Sequence, residues 1–350
     1  MARALLLLLC LLAACGPVER PPGPATRAPA IEPFLPAPLP RSFAPTTALG
    51  PPPPAPRPAG PAPEADLVMA DGMRLPLRAW RPEGAPRAVL LALHGMGDHG
   101  GNFLVESGPA LAAGGVLVYS MDQRGFGWTA HRGLWPGLEA LIEDARTAVR
   151  LLRARHPGLP FFLLGESLGG AIALLAAPEG VSGLVLASPA IWGGPYLPAL
   201  FRPALRVASS VLGPLAVEAS AGPLAASDNR AALERFARDP LTLREVRLDL
   251  LRGVVATMDA AVAALPGCCR ATPTLVLFGG RDQVIPTRAA RRALREAGVP
   301  RVIFYPSGWH LLLRDEVRGE VVEDVLGFIA DPAAPRPREA AGRAWLAGRW

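Results

Sequence analysis

From residue 66 onward the chain alternates between two hydrophobic textures. Short, largely apolar runs occupy residues 88–93, 116–121, 160–164, 184–187, 274–278 and 302–305, as expected of strands buried on both faces. Between them lie stretches in which apolar residues recur every three or four positions. In one, Leu138, Leu141, Ile142, Ala145, Val149 and Leu152 share a helical face, Arg146, Arg150 and Arg153 lie on the other, and His156-Pro157-Gly158 ends the pattern. Val317, Val321, Val325 and Phe328 mark a last helix. Residues 66–70 and 73–80 flank Asp71-Gly72, a strong hairpin signal. Strands and helices in alternation predict an α/β fold with a mostly parallel central sheet and helices on both faces. Residues 190–266 break the alternation. Helical in texture and inserted between two strands, they are expected to form a cap over the active site.

The ends of the chain read differently. Arg3 precedes an apolar run too short to span a bilayer, and Leu12-Ala13-Ala14-Cys15 closes it, so residues 1–14 are expected to be a signal peptide. Small residues just before a cysteine resemble a bacterial lipobox, which implies cleavage before Cys15 and lipid on its thiol. Residues 15–63 are rich in proline, with an unbroken run at 51–54, and are expected to be a polyproline-biased tether. At about 3.1 Å per residue such a tether would reach on the order of 100 Å from a membrane. The expected location is the bacterial cell envelope, lipid-anchored to a membrane and facing the periplasm or exterior. The folded α/β domain is expected over 64–333. The Arg-rich tail at 334–350 is expected to be a solvated extension.

Composition narrows the chemistry. Half of the 350 residues are hydrophobic, enough to bury the core of one α/β domain with extensions. The chain contains no lysine, and its 36 arginines are dispersed, so the net charge of +6 does not signal a nucleic-acid partner. The missing lysine also excludes Walker A phosphate binding, Schiff-base chemistry and lysine general bases. Of the four cysteines, Cys10 lies in the signal segment. The adjacent pair Cys268-Cys269 has neither metal nor redox spacing and is expected to supply small core residues. No cofactor and no metal are implied.

The run at 160–164 leads into Gly165-Glu166-Ser167-Leu168-Gly169, followed by a helix-forming stretch. A G-x-S-x-G between strand and helix is the nucleophile elbow, which lifts a serine hydroxyl above the sheet. A serine needs a base, and the base an orienting acid, found in this architecture in the order Ser, Asp or Glu, His on loops after strands. The run at 274–278 is followed by Gly279-Gly280-Arg281-Asp282, and that at 302–305 by Pro306-Ser307-Gly308-Trp309-His310. Ser167 is therefore the expected nucleophile, His310 the general base and then acid, and Asp282 the group that fixes the imidazole tautomer. The oxyanion hole needs two backbone donors, expected at Leu168 and, in the His94-Gly95-Met96-Gly97 loop, at Met96.

These motifs together resemble the α/β-hydrolase superfamily, and within it the monoacylglycerol lipase/lysophospholipase group. The resemblance covers about residues 66–330 and rests on His94-Gly95-Met96-Gly97-Asp98-His99, Asp122-Gln123-Arg124-Gly125, the elbow, the stretch 227–241 ending in Asp239-Pro240-Leu241, Asp282, and Trp309-His310. It implies an acyl-enzyme mechanism on carboxylic esters of lipids, with a monoacylglycerol or lysophospholipid as the small-molecule partner. The group often has histidine before the nucleophile, where this chain has Glu166. Ile191, Trp192, Tyr196, Leu197, Leu200 and Phe201 could serve an acyl chain or merely seat the cap. Three other readings stay open. One is an aminopeptidase of the capped type, with Glu166, Asp228 or Glu234 near a substrate amine. Another is a catalytically inactive hydrolase fold used as a binding module. The third is a dinucleotide site at Gly95-x-Gly97-x-x-Gly100 with Asp122, opposed by Pro109 as the better helix start and by Asp98 in the phosphate loop.

Overall fold

The computed structural model describes residues 19–36, 57–177, 179–218, 225–268 and 270–350. The signal segment, Cys10, Cys15 and Cys269 lie outside them. The strands are β1 (Ala30–Pro33), β2 (Ala65–Val68), β3 (Arg74–Trp80), β4 (Ala88–Leu93), β5 (Val116–Met121), β6 (Phe161–Glu166), β7 (Gly183–Ala187), β8 (Ala216–Glu218), β9 (Glu245–Arg247), β10 (Thr274–Gly279) and β11 (Val302–Tyr305). The α-helices are α1 (Ser107–Ala113), α2 (Leu138–Arg155), α3 (Leu168–Ala176), α4 (Phe201–Leu212), α5 (Arg230–Arg238), α6 (Leu248–Ala264), α7 (Thr287–Glu296), α8 (Arg318–Ala330) and α9 (Glu339–Leu346).

Among the described residues, nine strands form one sheet in the order β1-β2-β3-β5-β4-β6-β7-β10-β11. From β5 to β11 every pairing is parallel; the three strands at the other edge are antiparallel. Alternate side chains of each parallel strand enter different cores. Val89, Leu91 and Leu93 join the core built with α2, α3, α6 and α7, whereas Leu90 and Ala92 join that built with α1 and α8. Burial on both faces explains why these strands are continuously apolar in sequence. The chain leaves β4 toward β5 on one side and returns through β6 on the other. Loops after β4 and β6 thus diverge at a topological switch point, where α/β folds place their sites.

The Asp71-Gly72 hairpin forms as expected, with Gly72 at φ 81° and Met69 N–H bonded to Met73 O at 2.8 Å. Between β7 and β10 the insertion holds α4, α5 and α6, and also a two-stranded antiparallel sheet of β8 and β9, which the helical texture did not indicate.

Three expectations need correction. Residues 15–63 are not a free tether throughout. Glu19 bridges to Trp135, Arg20 N–H donates to Trp135 O, and β1 pairs with β2 as an edge strand. An edge is where a Pro-rich segment can join a sheet, because its outer side needs no donor. Arg74 fixes it there, with Nε on Asp66 (2.8 Å), one amino group on Glu32 (2.7 Å) and the other on Pro33 O (2.8 Å). Nor is the C-terminal tail solvated. Trp345 of α9 is 4 % exposed and stacks on Phe304 with centroids 4.8 Å apart. Gly342 lies so near β11 that a Cβ would meet Val302 O at 1.8 Å. Cys268, finally, packs against the core as expected but is also disulfide-bonded.

Candidate active site

Ser167 sits between β6 and α3 at φ 55° and ψ −118°, a conformation that costs a non-glycine residue about 1–3 kcal/mol. The surroundings enforce it. Ser167 N–H donates to Ala187 O (3.0 Å), and Ser167 O accepts from Ala190 N–H (2.9 Å) and Ala171 N–H (3.1 Å). On either side the backbone closes in: a Cβ on Gly165 would lie 2.2 Å from Gly169 O, and one on Gly169 2.2 Å from Leu93 O. Only glycine permits both approaches, which is the physical content of the G-x-S-x-G spacing.

Leu168 opens α3, so its N–H has no acceptor within the helix. The 94–97 loop leaves the neighbouring strand β4 and rests on the serine; a Cβ on Gly95 would stand 3.2 Å from Ser167 Cβ. Both expected oxyanion donors, Leu168 and Met96, therefore belong to segments bordering the nucleophile.

His310 and Asp282 are brought together across the loops that follow β11 and β10. His310 Nδ1 lies 2.8 Å from Asp282 Oδ2, and both side chains are buried. Asp282 Oδ1 accepts from Val284 N–H and Ile285 N–H, each at 2.8 Å. An acceptor-only carboxylate makes Nδ1 the protonated nitrogen and leaves Nε2 free to accept a proton. Burial alone would lower the imidazole pKa. The charge and hydrogen bond of Asp282, helped by the more remote Glu166, overcome that and hold it above the usual 6.5. No hydrogen bond joins Ser167 Oγ to His310 among the described residues. What links their segments is Arg314, four residues after His310, whose guanidinium bonds Glu166 beside the serine at 2.9 Å.

Three of the four remaining histidines hold structure. His94 Nε2 accepts from Gln123 N–H (3.0 Å), so its Nδ1–H donates to Gly95 O (2.8 Å), and burial keeps its pKa low. His99 Nδ1 accepts from Gly101 N–H (3.2 Å), while Nε2 stands 3.1 Å from Asp239. That contact ties the 94–101 loop to the segment following α5. His156 bonds Tyr119 OH at 3.0 Å, and His131 is exposed.

The dinucleotide reading does not survive. Asp122 is buried, paired with Arg78, and accepts from Gly100 N–H (2.8 Å) and Trp128 N–H (2.9 Å), so it offers nothing to a ribose. The next helix starts at Ser107, not at Gly100. Of the acids considered for a substrate amine, Glu166 is held by Arg314, Asp228 accepts from Glu316 N–H at 3.0 Å, and Glu234 pairs with Arg230 on the surface. The six apolar insertion residues divide. Ile191 and Leu197 are buried in the core, Trp192 and Tyr196 pack against it, and Leu200 and Phe201 are exposed.

Sequence reasoning missed the buried ions. Arg314 also bonds Asp98 (2.6 Å), and Asp315 accepts from Ser227 Oγ and Trp309 N–H. The signal was present: Arg314-Asp315 ends an otherwise apolar Leu311-Leu312-Leu313 run directly after the histidine.

A switch-point sheet carrying a strained serine at a strand-to-helix turn, with a His–Asp pair beyond later strands, defines an α/β-hydrolase. The Hydrolase_4 family model, described as serine aminopeptidase, S33, matches residues 84–317. The chain belongs to that family, as a monoacylglycerol lipase-like member. It is 29% identical to human monoglyceride lipase over 281 residues, covering 77% of this chain and 90% of that protein. It is 28% identical to the monoacylglycerol lipase of Mycolicibacterium smegmatis over 273 residues, covering 74% and 93%. Among solved structures, a soluble variant of monoglyceride lipase from Saccharomyces cerevisiae in complex with a substrate analog superposes with TM-score 0.64. That match is at 18% identity and covers 80% of this chain and all of that one.

Proposed function

We propose that this hydrolase cleaves carboxylic esters of lipids, monoacylglycerols or lysophospholipids, through an acyl-enzyme on Ser167. One observation carries the reading: a strained elbow serine and a buried His310–Asp282 pair occupy loops at the same end of the parallel sheet. In the first half-reaction His310 Nε2 takes the Ser167 proton as Oγ attacks the ester carbonyl. The Met96 and Leu168 N–H groups receive the oxyanion. The imidazolium, steadied by Asp282, then protonates the leaving alcohol. Water repeats the sequence on the acyl-enzyme and releases the fatty acid. No metal or cofactor takes part in this scheme.

The names of the relatives favour an ester. The family description, serine aminopeptidase, favours an amide with a free amine. Against the amide, all three candidate acids are already bound to protein partners. A fluorophosphonate probe and a panel of short esters, monoacylglycerols, lysophospholipids and aminoacyl amides test the reading. Ser167→Ala should abolish labelling and nearly all ester turnover while the fold persists. Labelling that survives the substitution, or turnover confined to amides, would overturn it, and a wild-type protein inert to the probe would leave a binding module.

The lipid anchor at Cys15 and a place on the cell-envelope membrane belong to the same proposal. Because the chain docks from Glu19, a lipid at Cys15 would be four residues from the folded domain, not on the order of 100 Å away.

A further inference from the structure

Arg314 follows the catalytic-loop histidine by four residues and is wholly buried, with 1 % of its side chain exposed. One amino group bonds Asp98 Oδ2 at 2.6 Å, in the loop that carries Met96. The other bonds Glu166 Oε2 at 2.9 Å, the residue before Ser167. Its own backbone is fixed as well: Arg314 N–H donates to Leu311 O (2.8 Å), and Arg314 O accepts from Asn229 Nδ2 (2.8 Å) in the inserted segment. Asp98 in turn receives His99 N–H and Asn102 Nδ2, both at 2.8 Å. One guanidinium therefore touches the segments that bear the expected oxyanion donor, the nucleophile and the general base.

As a device for stability this is a poor choice. Two carboxylates share one cation in a dry interior, and such ions can often be replaced by apolar groups at no loss. Among the described residues, Arg314 Nε and Glu166 Oε1 are also buried without hydrogen-bond partners, an expense native interiors avoid unless something is gained. What the planar fork supplies is geometry, since it fixes two carboxylates at once in a way a point charge does not.

We propose that Arg314 is a positioning residue, whose guanidinium holds the 94–99 loop and the nucleophile elbow in register with the loop carrying His310. The proposal rests on Ser167, His310 and Asp282 being the reacting groups. Arg314 itself touches no reacting atom. It takes the place of contacts that would otherwise have to align three loops separately, and Glu166, directly before Ser167, is the partner that ties the fork to the elbow.

The test is hydrolysis kinetics of a soluble ester by the full chain, with phosphonate labelling and thermal melts as controls. Arg314→Gln should lower kcat roughly 10- to 100-fold, the scale of small misplacements in an active site, with KM changed by less than about threefold. Arg314→Lys should recover only part of this, because an ammonium cannot hold both carboxylates in the fork geometry. A positioning role predicts a split that a merely structural one does not: kcat falls while KM and the thermal midpoint of the folded variant stay near wild type. The charged groups facing His310 are Asp282 from the β10–α7 loop, Glu166 from β6 and Arg314 from its own loop. Neutralising Glu166 should also shift the acid limb of kcat/KM downward, since its charge is one of the influences raising the His310 pKa. If Arg314→Gln fails to fold, Arg314→Lys decides by the same kcat-against-KM split. A kcat within about twofold of wild type for a folded Arg314→Gln, or for Arg314→Lys where the glutamine variant does not fold, would overturn the proposal. A wild-type protein that neither labels nor hydrolyses would remove the underlying reading instead, so the two failures are distinguishable.

Discussion

Replacing Asp282 by asparagine tests the reacting groups with almost no change in shape, and its outcome can be worked from the hydrogen bonds. Asp282 Oδ1 faces two donors, Val284 N–H and Ile285 N–H, both at 2.8 Å. An asparagine must therefore turn its carbonyl oxygen toward them, because an NH2 there would confront N–H with N–H. Its amide nitrogen then meets His310 Nδ1, now 2.8 Å from Asp282 Oδ2, and can only donate to it. The imidazole proton is driven to Nε2. That is the nitrogen required to accept the serine proton, so the base is blocked while the scaffold is unchanged. By analogy with other triads the loss is about 10⁴ in kcat, or about 5.4 kcal/mol of transition-state stabilisation. A second signature concerns pH. The Asp282 carboxylate is the chief influence holding His310 above its ordinary value against burial, so losing it should move the acid limb of the residual activity downward. Steady-state hydrolysis of a chromogenic ester over about pH 5 to 9, with near-ultraviolet circular dichroism to verify folding, measures both. A folded variant within about tenfold of wild type would refute the assignment of Asp282 and the tautomer argument with it.

Further outcomes are expected elsewhere in the molecule. In the wild type, kcat/KM should fall as pH drops through a value above about 6.5, since His310 must be neutral to act and its pKa is raised; a limb below 6 would contradict the Asp282 contact. Trp345→Ala should cost about 3–5 kcal/mol in urea unfolding, because it empties a site stacked between Phe304 and Phe278; a loss under about 1 kcal/mol would mean that α9 is not docked. Burial pushes Asp315 up to about 7, only partly offset by Ser227 and Trp309 N–H. The folded state thus binds its proton more tightly than the unfolded chain. This contribution to stability is complete below about 3.8 and is lost as pH rises toward 7, with a slope of up to about 1.4 kcal/mol per unit. Asp315→Asn should remove that slope relative to wild type, and parallel stability curves for the two proteins would refute it. Cys15→Ser should move the protein from the membrane fraction to the soluble one; unchanged membrane retention would rule out the lipid.

Much of this protein is determined locally and is therefore legible in the chain itself. Residues 88–93 and 116–121 form strands with those bounds because they are apolar on both faces, Ser120 excepted, and bounded by polar or glycine positions. Helix α2 begins at Leu138 and ends at Arg155 because its apolar stripe is periodic and His156-Pro157-Gly158 cannot continue it. The elbow is likewise written in its spacing, since only glycine at 165 and 169 allows the backbone contacts around Ser167. What tertiary structure alone decided are interactions whose partners lie far apart in sequence. The antiparallel seating of Ala30–Pro33 depends on Arg74 and Asp66, and the docking of Trp345 on two phenylalanines from separate strands. Arg314 reads in sequence as a charge after three leucines. Its place between Asp98 and Glu166, 216 and 148 positions away, exists only once the sheet has brought the loops after β4, β6 and β11 to one end. Hydrophobic periodicity reports which face a residue turns inward. Which buried charges then meet is a property of the closed three-dimensional packing, because a buried ion must find its counter-ion wherever the fold has put it.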